Sequence, residues 1–139
     1  WVAKQREMES FDDAIVAVAT DSQRHGKEFR FVTGIVVYRP GYGGDMRYFM
    51  TYRDRRPYKR NHEARMMDEA EISMKVADWL LEQGDVAAEV HLDLSPREKG
   101  VFTSRFSDRI KGYVTGCGWE AKIKPESWAA SCVMDHFTK

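Results

Sequence analysis

Four acidic residues border apolar sequence, where a buried carboxylate costs free energy unless it is paired or binds a metal. They are Asp21, Glu69, Asp93 and Asp135. If the four converge, their mutual repulsion would raise their pKa values, and divalent cations would relieve it. Ligation by oxygen alone suits Mg²⁺ or Mn²⁺. Two such ions about 4 Å apart can hold a phosphodiester, activate water and stabilise the leaving oxygen. The four residues are therefore candidate catalytic residues and metal ligands.

Two of these carboxylates are predicted on strands. Asp21 ends the apolar run 14–21, which is typical of a central strand covered on both faces. Asp93 falls within the alternating segment 87–95, on the side of the strand opposite its apolar residues. Strands of a central sheet are rigid, so both positions suit ligands that must be held still.

Glu69 is predicted to border the apolar face of a long helix over 61–85. At about 100° per residue, it shares a face with Ile72 and Val76. Glu71 points roughly 200° away, toward solvent. The helix geometry thus favours Glu69 over Glu71 as the inward carboxylate.

Each carboxylate also has an ordinary interpretation. Asp21 could cap a turn, and Asp135, beside a small and apolar stripe of the last predicted helix, could be a helix-end residue. Glu69 could have a lysine partner, and Asp93 an arginine or histidine partner. Singly, each of these readings competes with the metal-ligand reading; a shared site is favoured when the four are taken together with the order of elements.

The order of predicted elements is β-β-β-α-β-α-β-α, which describes a mixed sheet covered by helices. The first three strands include a hairpin, because Pro40, Gly41, Gly43 and Gly44 separate two β-rich segments. The predicted elements cover 14–21, 28–40, 42–54, 61–85, 87–95, 96–114, a strand within 112–125, and 126–137.

Basic residues mixed with tyrosines are concentrated between the third strand and the long helix. On a loop, such residues grip phosphates and stack bases, although an ordinary solvated loop is an equal alternative. Four of them are candidate nucleic-acid-binding residues: Arg55, Arg56, Lys59 and Arg60. Three more candidates lie beside the carboxylates, namely Ser22, Gln23 and Lys124.

Composition sets limits on the class of protein. The 139 residues, 42% of them hydrophobic, suit a single domain over 1–139. With 22 basic and 22 acidic residues the net charge is zero, so a nucleic-acid partner must be argued from local features. Cys117 and Cys132 are predicted to be small buried residues in a reduced compartment. No apolar run is long enough to span a bilayer, which predicts a cytoplasmic protein without a membrane partner.

The same residues resemble a known family. The segments "ATDSQ", "VHLDLS", "IKGYVTGCGWEAKIKPESWAAS" and "CVMDHFTK", with Arg65, Glu69 and Ser73 spaced by four, are similar to the YkuK-like family of predicted RNase H-like nucleases. The resemblance extends over residues 19–139. It implies a ribonuclease H-like α/β fold with a five-stranded mixed sheet, flanked by helices, whose second strand is antiparallel to the others. It also implies metal ligands at the four carboxylates.

The function predicted from the sequence is hydrolysis of phosphodiester bonds in RNA, DNA or a hybrid. The cofactor would be two Mg²⁺ or Mn²⁺ ions. Two alternatives stay open: an inactive relative that binds nucleic acid through the basic segment, and a protein-interaction module with no nucleic-acid role.

Overall fold

The computed structural model describes residues 15–38, 46–57, 61–95, 104–124 and 126–127. These residues form five strands and two helices in the order β-β-β-α-β-α-β. The strands are β1 (Ile15–His25), β2 (Glu28–Tyr38), β3 (Met46–Pro57), β4 (Glu89–His91) and β5 (Ala121–Lys122). The helices are α1 (His62–Gly84) and α2 (Ser104–Gly116). The predicted last helix, 126–137, and the hairpin turn 40–44 lie outside the described residues, apart from 126 and 127.

The five strands form one mixed sheet in the order β3-β2-β1-β4-β5. β2 runs antiparallel to β1 and β3, whereas β4 pairs in parallel with both β1 and β5. The predicted fold class is therefore confirmed, including the antiparallel second strand. The predicted hairpin between the second and third strands is also confirmed, and its ladder has an irregularity at Thr33/Gly34.

The long helix forms where the period of apolar residues predicts it. The Asn61 side chain accepts a hydrogen bond from the Ala64 main-chain N–H and so caps the first turn. The helix ends at Gly84, and Asp85 takes the left-handed conformation with φ 52°. Its apolar stripe, which includes Ala70 and Ala77, packs into the core.

The main core lies between one face of the sheet and the two helices. Val16 and Val18 of β1 pair with Val37 and Ile35 of β2, and these four side chains meet the apolar stripe of α1. β4 and α2 add further members of the same cluster, including Ile110. Because side chains alternate along a strand, Thr20 and Ser22 also face α1.

Several boundaries differ from the predictions. β1 continues past Asp21 to His25, because the whole strand pairs with β2. β4 ends at His91, so Asp93 lies beyond the paired strand and not inside it. Residues 112–116 belong to α2, and the fifth strand is limited to Ala121–Lys122.

Two environments also differ from the predictions. The basic segment begins inside β3, so Arg55 and Arg56 stand on a strand and not on a loop. Cys117 is exposed just after α2 and not buried, while Cys132 lies outside the described residues. In the described part of the chain, neither helix is long and apolar enough to cross a membrane.

Candidate active site

The centre of the site is the point where β1 and β4 part. Their parallel ladder runs from Ala17↔Glu89 to Ala19↔His91. If this register continued for two residues, Asp21 would lie opposite Asp93 and on the same side of the sheet. Asp21 and Asp93 therefore occupy corresponding positions, each two residues beyond the last residues that pair between β1 and β4.

The strands part because the chain after His91 follows β5. The Leu92 main-chain N–H donates to the Lys122 carbonyl at 2.8 Å, and the Lys124 N–H donates to the Leu94 carbonyl at 2.9 Å. β1 continues on the other side, paired with β2 alone. The two strands diverge beyond Ala19 and His91, and Asp21 and Asp93 follow two residues later on each.

Glu69 reaches the same region from α1. Its side chain is 4% exposed, whereas Glu71 on the opposite side of the helix is exposed. Ser22 Oγ donates a hydrogen bond to Glu69 Oε1 at 2.6 Å. The helical-face argument thus places Glu69 inward correctly, and β1 supplies its hydrogen-bond partner.

Arg65 holds Ser22 in turn. Arg65 Nε donates to Ser22 Oγ at 2.7 Å, and Nη2 donates to the Ser22 carbonyl at 2.6 Å. The guanidinium also lies over the Phe29 ring, 4.7 Å from its centroid. Because Arg65 fills an acceptor position of the Ser22 hydroxyl, the hydroxyl proton is directed to Glu69. The chain Arg65–Ser22–Glu69 therefore fixes the carboxylate of α1 against β1.

Three buried hydroxyls join β1, β2 and α1 beneath this chain. Thr20 Oγ1 lies 2.7 Å from both Thr33 Oγ1 and Ser73 Oγ. Ser73 is one helical turn after Glu69, so the cluster fixes the rotation of α1 about its axis. Hydroxyls are unusual on a core-facing strand face, and here each one finds a partner.

Burial and like charge act together on Glu69. Its pKa is raised well above the usual value, first by burial and further by the negative charges of Asp21 and Asp93. The Ser22 hydrogen bond and the Arg65 charge oppose this rise. Asp21 and Asp93 thus each act on the Glu69 carboxylate as neighbouring negative charges.

Asp93 is held by a lysine from the other side of the site. The Lys124 ammonium lies 2.9 Å from Asp93 Oδ1. Its direction is not that of a hydrogen bond, so Oδ1 is buried with an ion-pair contact and without a hydrogen-bond partner among the described residues. The Lys124 side chain is 43% exposed and stands at the rim of the site.

A metal ion has a suitable donor set here, but not a closed one. The carboxylate oxygens are those that Mg²⁺ and Mn²⁺ prefer, and the buried Asp93 Oδ1 has an open hydrogen-bonding position. Within the described ranges, however, no three His, Cys, Asp or Glu side chains are grouped closely enough to hold a metal ion. Asp135, the fourth predicted ligand, lies outside the described residues.

The predicted nucleic-acid-binding residues have mixed placements. Ser22 is 1% exposed and donates a hydrogen bond to Glu69, and its contact with nucleic acid stays a prediction. Gln23 is half-buried and Arg55 is exposed, so both are accessible from solvent. Arg56 joins Asp54 at 3.1 Å and Asp68 of α1 at 2.9 Å, and thus ties β3 to the helix. Lys59 and Arg60 lie outside the described residues.

His91 lies next to the site but has a structural environment. It is 1% exposed, and its Nε2 lies 3.0 Å from Glu89 Oε2. Burial lowers the pKa of His91, against the opposing effect of Glu89. A buried histidine with a carboxylate partner is a satisfied core group.

Sequence reasoning placed Ser22 and Lys124 beside the carboxylates but did not predict their contacts with Glu69 and Asp93. Arg65 and Ser73 stand four residues either side of Glu69, and this spacing was the available signal that all three share one face of α1. The contact between Lys124 and Asp93 could not be predicted from spacing. The two residues are distant in sequence, and the β4–β5 pairing brings them together.

Comparisons with known proteins agree with the fold. A family model described as Ribonuclease H-like matches residues 2–139. The chain is 30% identical to "Uncharacterized protein YkuK" of Bacillus subtilis (strain 168) over 141 aligned positions, which cover 90% of this chain and 79% of the relative. No solved structure matches.

Proposed function

This chain belongs to the ribonuclease H-like family, and on that premise we propose that it is a metal-dependent nuclease. It hydrolyses phosphodiester bonds of RNA or DNA by a two-metal-ion carboxylate mechanism with Mg²⁺ or Mn²⁺. The observation that carries the proposal is the parting of β1 and β4. There the parallel register brings Asp21 and Asp93 to corresponding positions, and Glu69 carries a pKa raised by burial and further by the charges of both.

The proposed ligands are the four predicted carboxylates, Asp21, Glu69, Asp93 and Asp135. Divalent cations held by them would activate water and stabilise the leaving oxygen of the phosphodiester. The protein's own contribution is to hold these groups in place. Arg65 and Ser22 orient the Glu69 carboxylate, and the hydroxyl cluster around Thr20 fixes the rotation of α1.

Lys124 has two roles in the proposal. Without a metal, its ammonium neutralises part of the charge on Asp93. With substrate bound, an exposed ammonium at the rim of the site is suited to contact a phosphate oxygen. Both roles need a flexible cation beside the ligand, which a lysine provides.

The test is cleavage of RNA, DNA and hybrid oligonucleotides in Mg²⁺ or Mn²⁺. We expect Asp21→Asn and Glu69→Gln each to lower the rate by at least about 100-fold, since even loss of a group that supports a metal ligand costs 10–100-fold. Glu71→Gln is the matched control, because it removes a carboxylate from the exposed side of the same helix. Cleavage that persists unchanged in Asp21→Asn would exclude the proposed mechanism.

A second candidate is a nucleic-acid-binding relative without turnover. It is favoured by the satisfied state of the site: within the described ranges the carboxylates do not form a closed metal cluster, and Ser22 and Lys124 already engage two of them. This candidate predicts salt-dependent binding that survives Asp21→Asn, with no cleavage in either metal.

A further inference from the structure

An open groove of about 420 Å³ lies at the far end of β1, away from the core. The β1–β2 turn and the end of β3 form it together, since Glu28 pairs with His25 on one side and with Pro57 on the other. Its lining residues are His25, Lys27, Glu28, Arg55, Arg56 and Pro57.

The groove has excess positive charge. Glu28 pairs with Arg30, and Arg56 is engaged by Asp54 and Asp68. Lys27 and Arg55 are exposed, and neither has an ion-pair partner among the described residues. These two cations are therefore available to an anionic ligand.

The strand register brings a further cation to the same place. Arg30 of β2 lies directly opposite Arg55 of β3, and both are exposed. Like charges opposite each other in an antiparallel pair are destabilising. The Glu28 carboxylate offsets part of this repulsion, and a bound anion would offset more.

We propose that this groove is a phosphate-binding subsite for a nucleic acid whose scissile bond lies at the carboxylates. The inference rests on the proposed function for its choice of ligand. β1 connects the two places directly: His25 lies four positions after Asp21, a span of about 13 Å. A duplex rising 3.4 Å per base pair covers this span in about four base pairs. The subsite binds the backbone and so carries no sequence preference.

The test measures binding in EDTA, where cleavage plays no part. The groove variant is the double substitution Lys27→Gln and Arg55→Gln. The control variant is the double substitution Lys75→Gln and Lys111→Gln, which removes two exposed cations from α1 and α2. Fluorescence anisotropy with duplex RNA, DNA and hybrid probes is recorded over a salt series. We expect the groove variant to weaken binding at least about tenfold and to lower the log–log salt slope by about 2. The control variant should bind as the wild type does.

Three results would overturn the inference: equal binding by wild type and groove variant, equal losses in both double variants, or no binding by the wild type. The inference would also be overturned if polyglutamate displaced the probe as well as unlabelled duplex does at the same total charge. That result would favour an acidic protein partner. Thermal melting verifies that the variants fold. If the wild type never cleaves but the groove variant loses binding, the groove stands and the nuclease proposal fails. If the wild type cleaves and the groove variant binds normally, the nuclease proposal stands and the groove proposal fails.

Discussion

The two halves of β1 differ in what borders them. From Val16 to Ala19 the strand is apolar, buried and paired on one side with β2 and, over its last three residues, on the other with β4. From Thr20 to Ser22 it is equally buried but polar, and only β2 pairs with it. The change from apolar to polar coincides with the end of the β4 ladder. One strand can therefore anchor a core in one half and carry buried polar groups in the other, where its neighbour departs.

The difference also explains how polar residues are tolerated at near-zero exposure. In the second half, α1 supplies a partner for each inward hydroxyl: Ser73 for Thr20, and Glu69 with Arg65 for Ser22. In the first half, α1 supplies methyl and methylene groups instead. The apolar side chains of α1 thus pack against the apolar half of β1, and its polar side chains hydrogen-bond to the polar half.

The largest effect should come from placing a charge in the apolar half. Val18→Asp buries an unpaired carboxylate at a fully buried position and should destabilise the fold by about 4 kcal/mol or more, or prevent folding. Gln23→Asp, at a half-buried position of the same strand, should cost less than about 1 kcal/mol. Urea denaturation compares the two. Similar losses would mean that the apolar half tolerates a charge as well as the half-buried residue that follows the polar half.

The second effect concerns pH in the polar half. Because the pKa of Glu69 is raised in the folded protein, the unfolded chain loses this proton first, near the usual value of 4.5. The free energy of unfolding should therefore fall as pH rises above about 4.5, until the folded-state pKa is reached. Glu69→Gln should remove this fall and be more stable than wild type at neutral pH.

The measurement is chemical denaturation across pH in EDTA, with Glu71→Gln as the control. The control should keep the wild-type profile, since Glu71 is on the exposed side of α1. A Glu69→Gln profile that runs parallel to the wild-type profile would contradict the expected contribution of Glu69.

A smaller effect should follow from removing the hydroxyl that links strand and helix. Ser22→Ala leaves Arg65 and Glu69 without their shared partner and should cost about 1–3 kcal/mol. Thr115→Ala, which removes an exposed hydroxyl from α2, should change stability by no more than about 0.5 kcal/mol. In a double-mutant cycle, Ser22→Ala and Glu69→Gln should be non-additive. Additive losses would show that the hydroxyl does not act through Glu69.

The smallest effect on stability is expected at the rim. Lys124→Ala breaks a partly exposed ion pair with Asp93, which should cost less than about 1 kcal/mol. The same change frees the Asp93 carboxylate, so Mn²⁺ measured by calorimetry should bind more tightly than to the wild type. Weaker or equal Mn²⁺ binding would mean that the lysine does not compete for this carboxylate.

Local patterns were enough to predict much of this fold. The 3.6-residue period of 61–85 gave the extent of α1 and separated inward Glu69 from outward Glu71. The alternation of apolar and polar residues in 87–95 predicted that the side chains of Val90 and Leu92 point into the core, and both are buried. Such patterns report which side of an element is buried, because burial follows from the geometry of that element alone.

The extent of pairing could not be predicted in the same way. The strand around Asp93 was expected to continue to residue 95, but it ends at His91 because the chain turns from β1 to follow β5. Arg55 and Arg56 were expected on a loop, but the antiparallel partner β2 extends their strand to Pro57. A strand's length depends on its neighbours, and these are distant in sequence.

The sequence by itself determined the order of the described elements, the antiparallel pairing of the second and third strands, and the inward position of Glu69. These follow from period, turn residues and the cost of burying charge. Only the tertiary structure decided that β1 and β4 part just before Asp21 and Asp93, that Arg65 directs Ser22 to Glu69, and that Lys124 lies against Asp93. Those are contacts between segments far apart in the chain, and their geometry is set when the sheet and helix pack together.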